Sequence, residues 1–328
     1  MSLSDPEVNY TIDISLRLFF NSLSLLGSLF IIISYLKFAR LRKFAFKLIF
    51  YLSISDLIFS IAGFLIFNNA DEMNSHFCAF QGFALYYSSI STVFWTSCIA
   101  YSLQSIVLKN NREIEKSERK LLVVGFIVPV FLAAIPLFTN DYGPSSFFTD
   151  QKKRWCGIER VMIQGEVERR EVALDWVVRF VPILFCFIFN TIMYFRVRRF
   201  FASLEFRTDL KDIIKNKIKY FPLIPIFCWS MEIVLRILEL IYMHDDKNIF
   251  NHEYILWIDY FDSVFEKSHG LLNALVYGCT QYVKEEWRNF VRNKRRNSLE
   301  EEINISSTLN EGSERNNGKN SLSGGGGL

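Results

Sequence analysis

The chain has 328 residues, 51% of them hydrophobic and 16% aromatic, with a formal net charge of +3. The apolar residues come in long blocks, which argues against the one or two soluble domains that this length would otherwise hold. The small net charge gives no reason to expect a nucleic-acid partner, and where the basic residues fall is more informative.

In chain order, the opening MSLSDPEVNYTID is acidic and polar, unlike the positive start of a cleaved signal peptide. Residues 1–14 read as an extracellular tail in which Asn9-Tyr10-Thr11 is a glycosylation sequon. Seven blocks then reach the length of a membrane-crossing helix, at 15–37, 44–67, 77–108, 119–139, 172–198, 218–243 and 254–280. The third is the least apolar, with Gln81 and many Ser and Thr, yet it carries no charge from Phe77 to Leu108. Pro129, Pro136, Pro182, Pro222 and Pro225 fall inside blocks four to six, so kinks are expected there. The expected fold is an all-α membrane protein, a seven-transmembrane helix bundle over 15–280.

Loop charges predict its orientation. The first, third and fifth connections and the segment after block seven are rich in Lys and Arg, such as Arg40, Arg42, Arg112, Lys116, Arg198, Arg199, Arg292 and Arg295. The second connection, NNADEMNSH, has neither, and the sixth has only Lys247. The long fourth connection mixes Lys152, Lys153 and Arg154 with Asp150, Glu159 and Glu166. This asymmetry puts the N-terminus outside and the C-terminus in the cytosol; the plasma membrane is the expected location. Cys78 and Cys156 then face an oxidising compartment and are expected to pair. Cys98, Cys186, Cys228 and Cys279 lie within apolar blocks and read as buried thiols. Neither CxxC nor a His/Cys cluster at zinc spacing occurs, so no metal site is expected.

Block seven carries a polar stripe. Asp259, Asp262, Glu266, His269 and Asn273 are spaced three, four, three and four apart, which puts them on one helical face. Charges at this depth are costly unless they face other helices or a water-filled cavity. Helical rise places Arg236 about 10 Å below the outer end of block six and Asp262 about 12–14 Å down block seven, which lets them meet. Glu232 lies deeper, within reach of Lys267, and Arg179 adds a cation two turns into block five. Arg179, Glu232, Arg236, Asp262, Glu266, Lys267 and His269 are therefore candidate ligand contacts. Two readings stay open: structural ion pairs, Glu232 and Arg236 being also four apart on one helix, or direct ligand recognition. Trp229, Trp95 and Tyr277 are candidates for packing switches, or plain core aromatics.

Residues 281–296, QYVKEEWRNFVRNKRR, set Val283, Trp287, Phe290 and Val291 on one face among Lys and Arg. This suits a short amphipathic helix on anionic membrane lipid. Residues 297–328 are rich in Asn, Ser, Glu and Gly and read as a disordered cytoplasmic tail. No P-loop, HExxH or GxSxG motif appears, and the chain is not expected to be an enzyme.

Seven spans with this topology and an outer cysteine pair resemble a G-protein-coupled receptor. HFCAFQGFALYYSSISTVFWTSCIAYSL resembles helix three of the slime-mould cyclic-AMP receptor family, RFVPILFCFIFNTIMYFRV its helix five, and FPLIPIFCWSMEIVLRI its helix six. SHGLLNALVYG resembles its helix seven and that of distant fungal sugar-sensing relatives, and LSISDL fits helix two. The chain is similar over about 15–295. The resemblance implies an extracellular small-molecule ligand and a heterotrimeric G protein as partners. It also implies an activation network of polar residues in the inner half of the bundle, here Asp56, Asn190 and Asn273. No Asp-Arg-Tyr closes block three, where Gln104-Ser105-Ile106 stands, and that family lacks it too. Lys267-Ser268, with Asn273 six residues after the Lys, resembles the retinal attachment stretch of animal opsins, so retinal on Lys267 is the alternative cofactor reading. A membrane transporter is the other alternative, against which no two-fold repeat is visible.

Overall fold

The computed structural model describes residues 6–65, 75–109, 112–145, 155–158, 162–163, 166–167, 169–203, 223–244, 252–278 and 280–321. Its helices are α1 (Pro6–Lys37), α2 (Phe44–Gly63), α3 (Ser75–Lys109), α4 (Glu118–Leu122), α5 (Val128–Phe138), α6 (Arg169–Asp175), α7 (Val181–Ser203), α8 (Leu223–His244), α9 (His252–Lys267), α10 (His269–Gly278) and α11 (Gln281–Ser321). Among the described residues, five helices are long and apolar enough to cross a membrane: Ile14–Lys37, Phe44–Gly63, His76–Leu108, Glu113–Phe138 and Val172–Phe200. The sixth and seventh spans are α8, which carries Glu232 and Arg236, and the pair α9–α10. The residues up to Cys279 form one compact unit, and α11 belongs to a second.

Prolines shape spans four and five. The π turns Val123–Ile127 and Trp176–Phe180 directly precede Pro129 and Pro182, joining α4 to α5 and α6 to α7. A proline has no N–H for the carbonyl four residues back and its ring crowds that carbonyl, so the helix widens ahead of it. Pro129 leaves the Gly125 carbonyl without its α-helical donor, and the Ser91 hydroxyl of α3 donates to it at 2.7 Å. Gly125 also seats the Trp95 indole, since a Cβ there would lie 2.3 Å from the ring. Trp95 is the centre of an apolar cluster with Leu48, Leu52, Cys98 and Leu121. Pro225 lies in the first turn of α8, where its missing N–H costs nothing. Pro222 lies outside the described residues.

Span four ends in a Schellman cap. Asn140 takes φ 55°, Asp141 N–H donates to Pro136 at 2.9 Å and Asn140 N–H to Leu137 at 3.4 Å. The chain then forms β1 (Tyr142–Ser145), antiparallel to β2 (Trp155–Ile158), with a second small hairpin of β3 (Met162–Ile163) and β4 (Glu166–Val167). Among the described residues, these hairpins are the only strands.

Cys78 at the start of α3 and Cys156 on β2 form a disulfide. Gln81, one turn along α3, reinforces it. Its side chain accepts from Cys156 N–H at 3.1 Å and donates to the carbonyls of Ala62 and Leu65 at the end of α2. Tyr142 lies on Gly82 and donates to the Ala133 carbonyl at 2.9 Å. The β1–β2 hairpin is thus fastened to spans two, three and four. Cys98, Cys186 and Cys228 are buried thiols, and Cys279 lies outside the described residues.

The seventh span breaks at Ser268, where its sequence reads as one helix. Gly270 N–H takes the Ser24 hydroxyl of α1 at 2.9 Å in place of a carbonyl in its own helix. The two helices meet backbone to backbone there, since a Cβ on Gly27 would lie 2.5 Å from the Gly270 oxygen. In the separate C-terminal unit, α11 continues to Ser321, past Asn297 where composition predicts disorder. That stretch has no proline to stop a helix, and Arg296 and Glu300 pair at 3.7 Å across one turn.

Candidate functional site

In the half of the bundle nearer the disulfide, spans five, six and seven each turn charges inward. Arg236 of α8 is 4% exposed. It pairs with Asp175 at the end of α6 at 2.8 Å and with Glu232 one turn back at 3.0 Å. Arg179 reaches Glu266 of α9 at 2.7 Å and Glu232 at 3.6 Å. Lys267 lies 3.1 Å from the other Glu266 oxygen and 4.1 Å from the centroid of the Phe59 ring. Span three contributes Tyr86, whose hydroxyl donates to Asp175 at 2.7 Å and whose ring lies 5.6 Å from the Arg179 guanidinium. Four spans are joined through these groups. Removing one partner of such a buried pair strands the other charge and costs about 3–5 kcal/mol.

Helical depth alone pairs Arg236 with Asp262 and Glu232 with Lys267; the structure pairs both differently. Asp175 lies at the depth of Arg236 and takes it, and Glu232 lies between the two arginines. Lys267 turns to its own neighbour Glu266. Rise along an axis fixes depth but not which way each helix is rotated. Asp262 instead shares a hydrogen bond with Glu232 and lies within electrostatic reach of Glu266 and Arg179. Its Oδ1 is buried without a hydrogen-bond partner. The side chain of Asp259 lies outside the described residues.

Below this cluster, His269 and Trp229 lie ring to ring at 5.1 Å. Both are buried, and neither the two imidazole nitrogens nor the indole N–H has a hydrogen-bond partner. One turn further on, Asn273 donates to Asp56 Oδ2 at 2.8 Å and Thr92 to Asp56 Oδ1 at 2.9 Å, linking spans two, three and seven. The nearby Ser55 and Ser91 hydroxyls meet at 2.7 Å and lead on to Gly125. Asn190 does not join Asp56; it donates to Ser97 at 3.0 Å, tying span five to span three. Tyr277 packs edge-on against Phe46 and Phe30.

Sequence reasoning passed over Asp175 and Tyr86. Asp175 was readable as an acid inside block five, four residues before Arg179. Tyr86 carried no signal that set it apart among 14 tyrosines.

Opposite the cluster, Glu118 of α4 accepts from Lys47 at 2.7 Å and Tyr51 at 2.9 Å, both on α2. Tyr51 in turn leans on Trp95 at 5.0 Å.

Seven helical spans, a disulfide tying the third to a loop hairpin, and charged and polar networks within the bundle define a receptor of the G-protein-coupled class. The family model described as slime mold cyclic AMP receptor matches residues 4–265, and the chain belongs to that family. It is a multi-pass membrane receptor and not an enzyme. Among curated relatives, it is 28% identical over 279 residues to G-protein coupled receptor 1 of Arabidopsis thaliana, covering 80% of this chain and 77% of that one. It is 24% identical over 263 residues to cyclic AMP receptor-like protein A of Dictyostelium discoideum, covering 80% and 63%. Cyclic AMP receptor-like protein G of the same organism is 37% identical over 130 residues, 37% of this chain and 25% of the relative. The chain thus spans less than two thirds of the length of these last two.

Proposed function

We propose that the protein is a cell-surface receptor whose charge cluster on spans three, five, six and seven receives a small extracellular ligand, and that it activates a heterotrimeric G protein. The observation that carries this is the burial of Arg236, Glu232 and Asp262, with the half-buried Arg179 and Glu266 beside them, next to the disulfide-held hairpin. Intramembrane charges are expensive and mark functional sites by default. His269 and Trp229 lie between the cluster and the Asp56–Asn273 contact, so a ligand that rearranges the charges has a packed path to the opposite half. Relatives named as cyclic AMP receptor-like make a cyclic nucleotide the first compound to screen.

The orientation follows from charge: the N-terminus and hairpins outside, the basic connections and α11 in the cytosol. Basic residues of α11, such as Arg288, Arg292 and Arg295, suit anionic lipid on the inner leaflet. The deciding experiment is guanine-nucleotide exchange on a heterotrimeric G protein, driven by a panel of candidate ligands. Exchange that depends on a ligand and is lost in Arg179→Gln at normal surface expression supports the reading. Ligand-driven exchange that Arg179→Gln leaves unchanged contradicts the placement of the site. Uptake of a compound into cells with no exchange points to a transporter.

A further inference from the structure

Glu232 of α8 and Asp262 of α9 are buried acids joined by a hydrogen bond. The bond runs through Asp262 Oδ2, because Oδ1 has no partner. Two carboxyl groups share such a bond only with a proton between them. Glu232 accepts from Arg236 Nε at 3.0 Å and lies 3.6 Å from Arg179, and these guanidiniums keep it a carboxylate. Asp262 has no cation at ion-pair distance among the described residues, so it is the acid that carries the proton and donates it to Glu232.

The neighbouring groups are otherwise engaged. Arg236 also holds Asp175, to which Tyr86 of α3 donates. Arg179 reaches Asp262 only through the field and is bonded to Glu266, and Lys267 lies 3.1 Å from Glu266. From α1, which packs on α9, Arg17 lies within electrostatic reach of Glu266 and Lys267. His269 of α10 lies against the Trp229 ring with neither nitrogen hydrogen-bonded. The side chains of Arg179 and Glu266 keep 15% and 12% of their surface exposed, so water reaches the edge of the cluster and exchanges protons with it.

We propose that Asp262 and Glu232 form a proton-binding site that ties span six to span seven, and that loss of the proton opens the tie. With the proton gone, two carboxylates face each other at hydrogen-bond distance in a buried place, and one must move away. Both spans carry residues of the charge cluster, so its shape follows the proton whichever ligand it receives. The sign follows from linkage. The unfolded chain leaves Asp262 in water without Glu232, so folding takes up a proton above the range in which a free carboxyl titrates. Stability is then greatest in acid and falls with rising pH until the folded pair gives its proton up.

The test compares the purified full-length receptor with Asp262→Asn in maltoside micelles. The Asn side chain still donates to Glu232 but does not titrate, and every other group titrates alike in both proteins. The folded-to-unfolded ratio, measured by SDS titration over about pH 5–8, should fall in wild type relative to Asp262→Asn, by about tenfold per pH unit while the folded pair holds its proton. A relative ratio that stays constant overturns the proposal. Infrared spectra give a second readout, because carboxyls in water are ionised at about pH 6. Wild type should show a protonated-carboxyl C=O band there that fades as the pH is raised, is lost in Asp262→Asn and persists in Asp56→Asn. No band in wild type, or a band that survives Asp262→Asn, overturns the proposal. If Asp262→Asn does not fold, Glu232→Gln replaces it and should remove the band too, since an amide then donates to an ionised Asp262. Ligand-driven exchange plays no part in these measurements, so this site and the receptor reading fail separately.

Discussion

At the scale of single residues, charge pairing decides more than depth. Arg236 holds Asp175 and Glu232 at once, so Arg236→Ala strands two buried acids. It should destabilise the protein by about 3–5 kcal/mol, seen as a lower unfolding temperature in detergent. Asp175→Ala should do similar damage, and the double variant should be milder than the sum, with a coupling of about 0.5–3 kcal/mol. Additive losses would show that the 2.8 Å contact carries no energy. A cycle between Arg236 and Asp262 should come closer to additive, because Asp262 turns to Glu232. The sequence showed that these residues were charged and at what depth. It did not show how each helix was rotated, which is why it missed Asp175 as the partner of Arg236.

At the scale of elements, a few small residues set how closely helices approach. Gly27 of α1 and Gly270 of α10 lie backbone to backbone, and Ser24 supplies the hydrogen bond that the break at Ser268 removes from Gly270. Gly27→Val should push the helices apart and cost about 1–3 kcal/mol as overpacking does. Ser24→Ala should cost about 1–3 kcal/mol by leaving a buried N–H unsatisfied. Unfolding temperatures equal to wild type in both would show that the α1–α10 contact is loose. The hairpin has a covalent and a polar anchor. Removing Cys78 and Cys156 together should cost about 2–5 kcal/mol, and Gln81→Leu should add to the loss by freeing Cys156 N–H and the carbonyls of Ala62 and Leu65. Surface expression of the two variants and their combination measures this; no effect from Gln81→Leu would reduce the anchor to the disulfide. Block lengths anticipated the five long apolar helices to within a few residues, because burial in lipid demands long apolar runs. The break at Ser268 was not readable, since it depends on a serine some 240 residues away in sequence. The π turns were partly readable: each proline marked a disturbance, but its form depends on which neighbour answers the lost bond.

At the scale of the whole molecule, the fold and family were legible because seven apolar blocks and their motifs stand in a fixed order. The site was legible as a set of costly residues and illegible as a geometry. The topology has its own check: Asn9 should carry glycan and Asn304 none, and glycan on Asn304 in a glycosidase assay would invert the proposed orientation. The central claim is that the buried charge cluster receives a ligand and drives a G protein. Its most direct test is ligand-dependent guanine-nucleotide exchange by the reconstituted receptor and G protein, compared between wild type and Glu266→Gln at matched folded amounts. The account predicts exchange in the wild type and a shift of at least about tenfold in ligand potency in the variant, from loss of the charged contacts to Arg179 and Lys267. Exchange with identical potency in both proteins would contradict it.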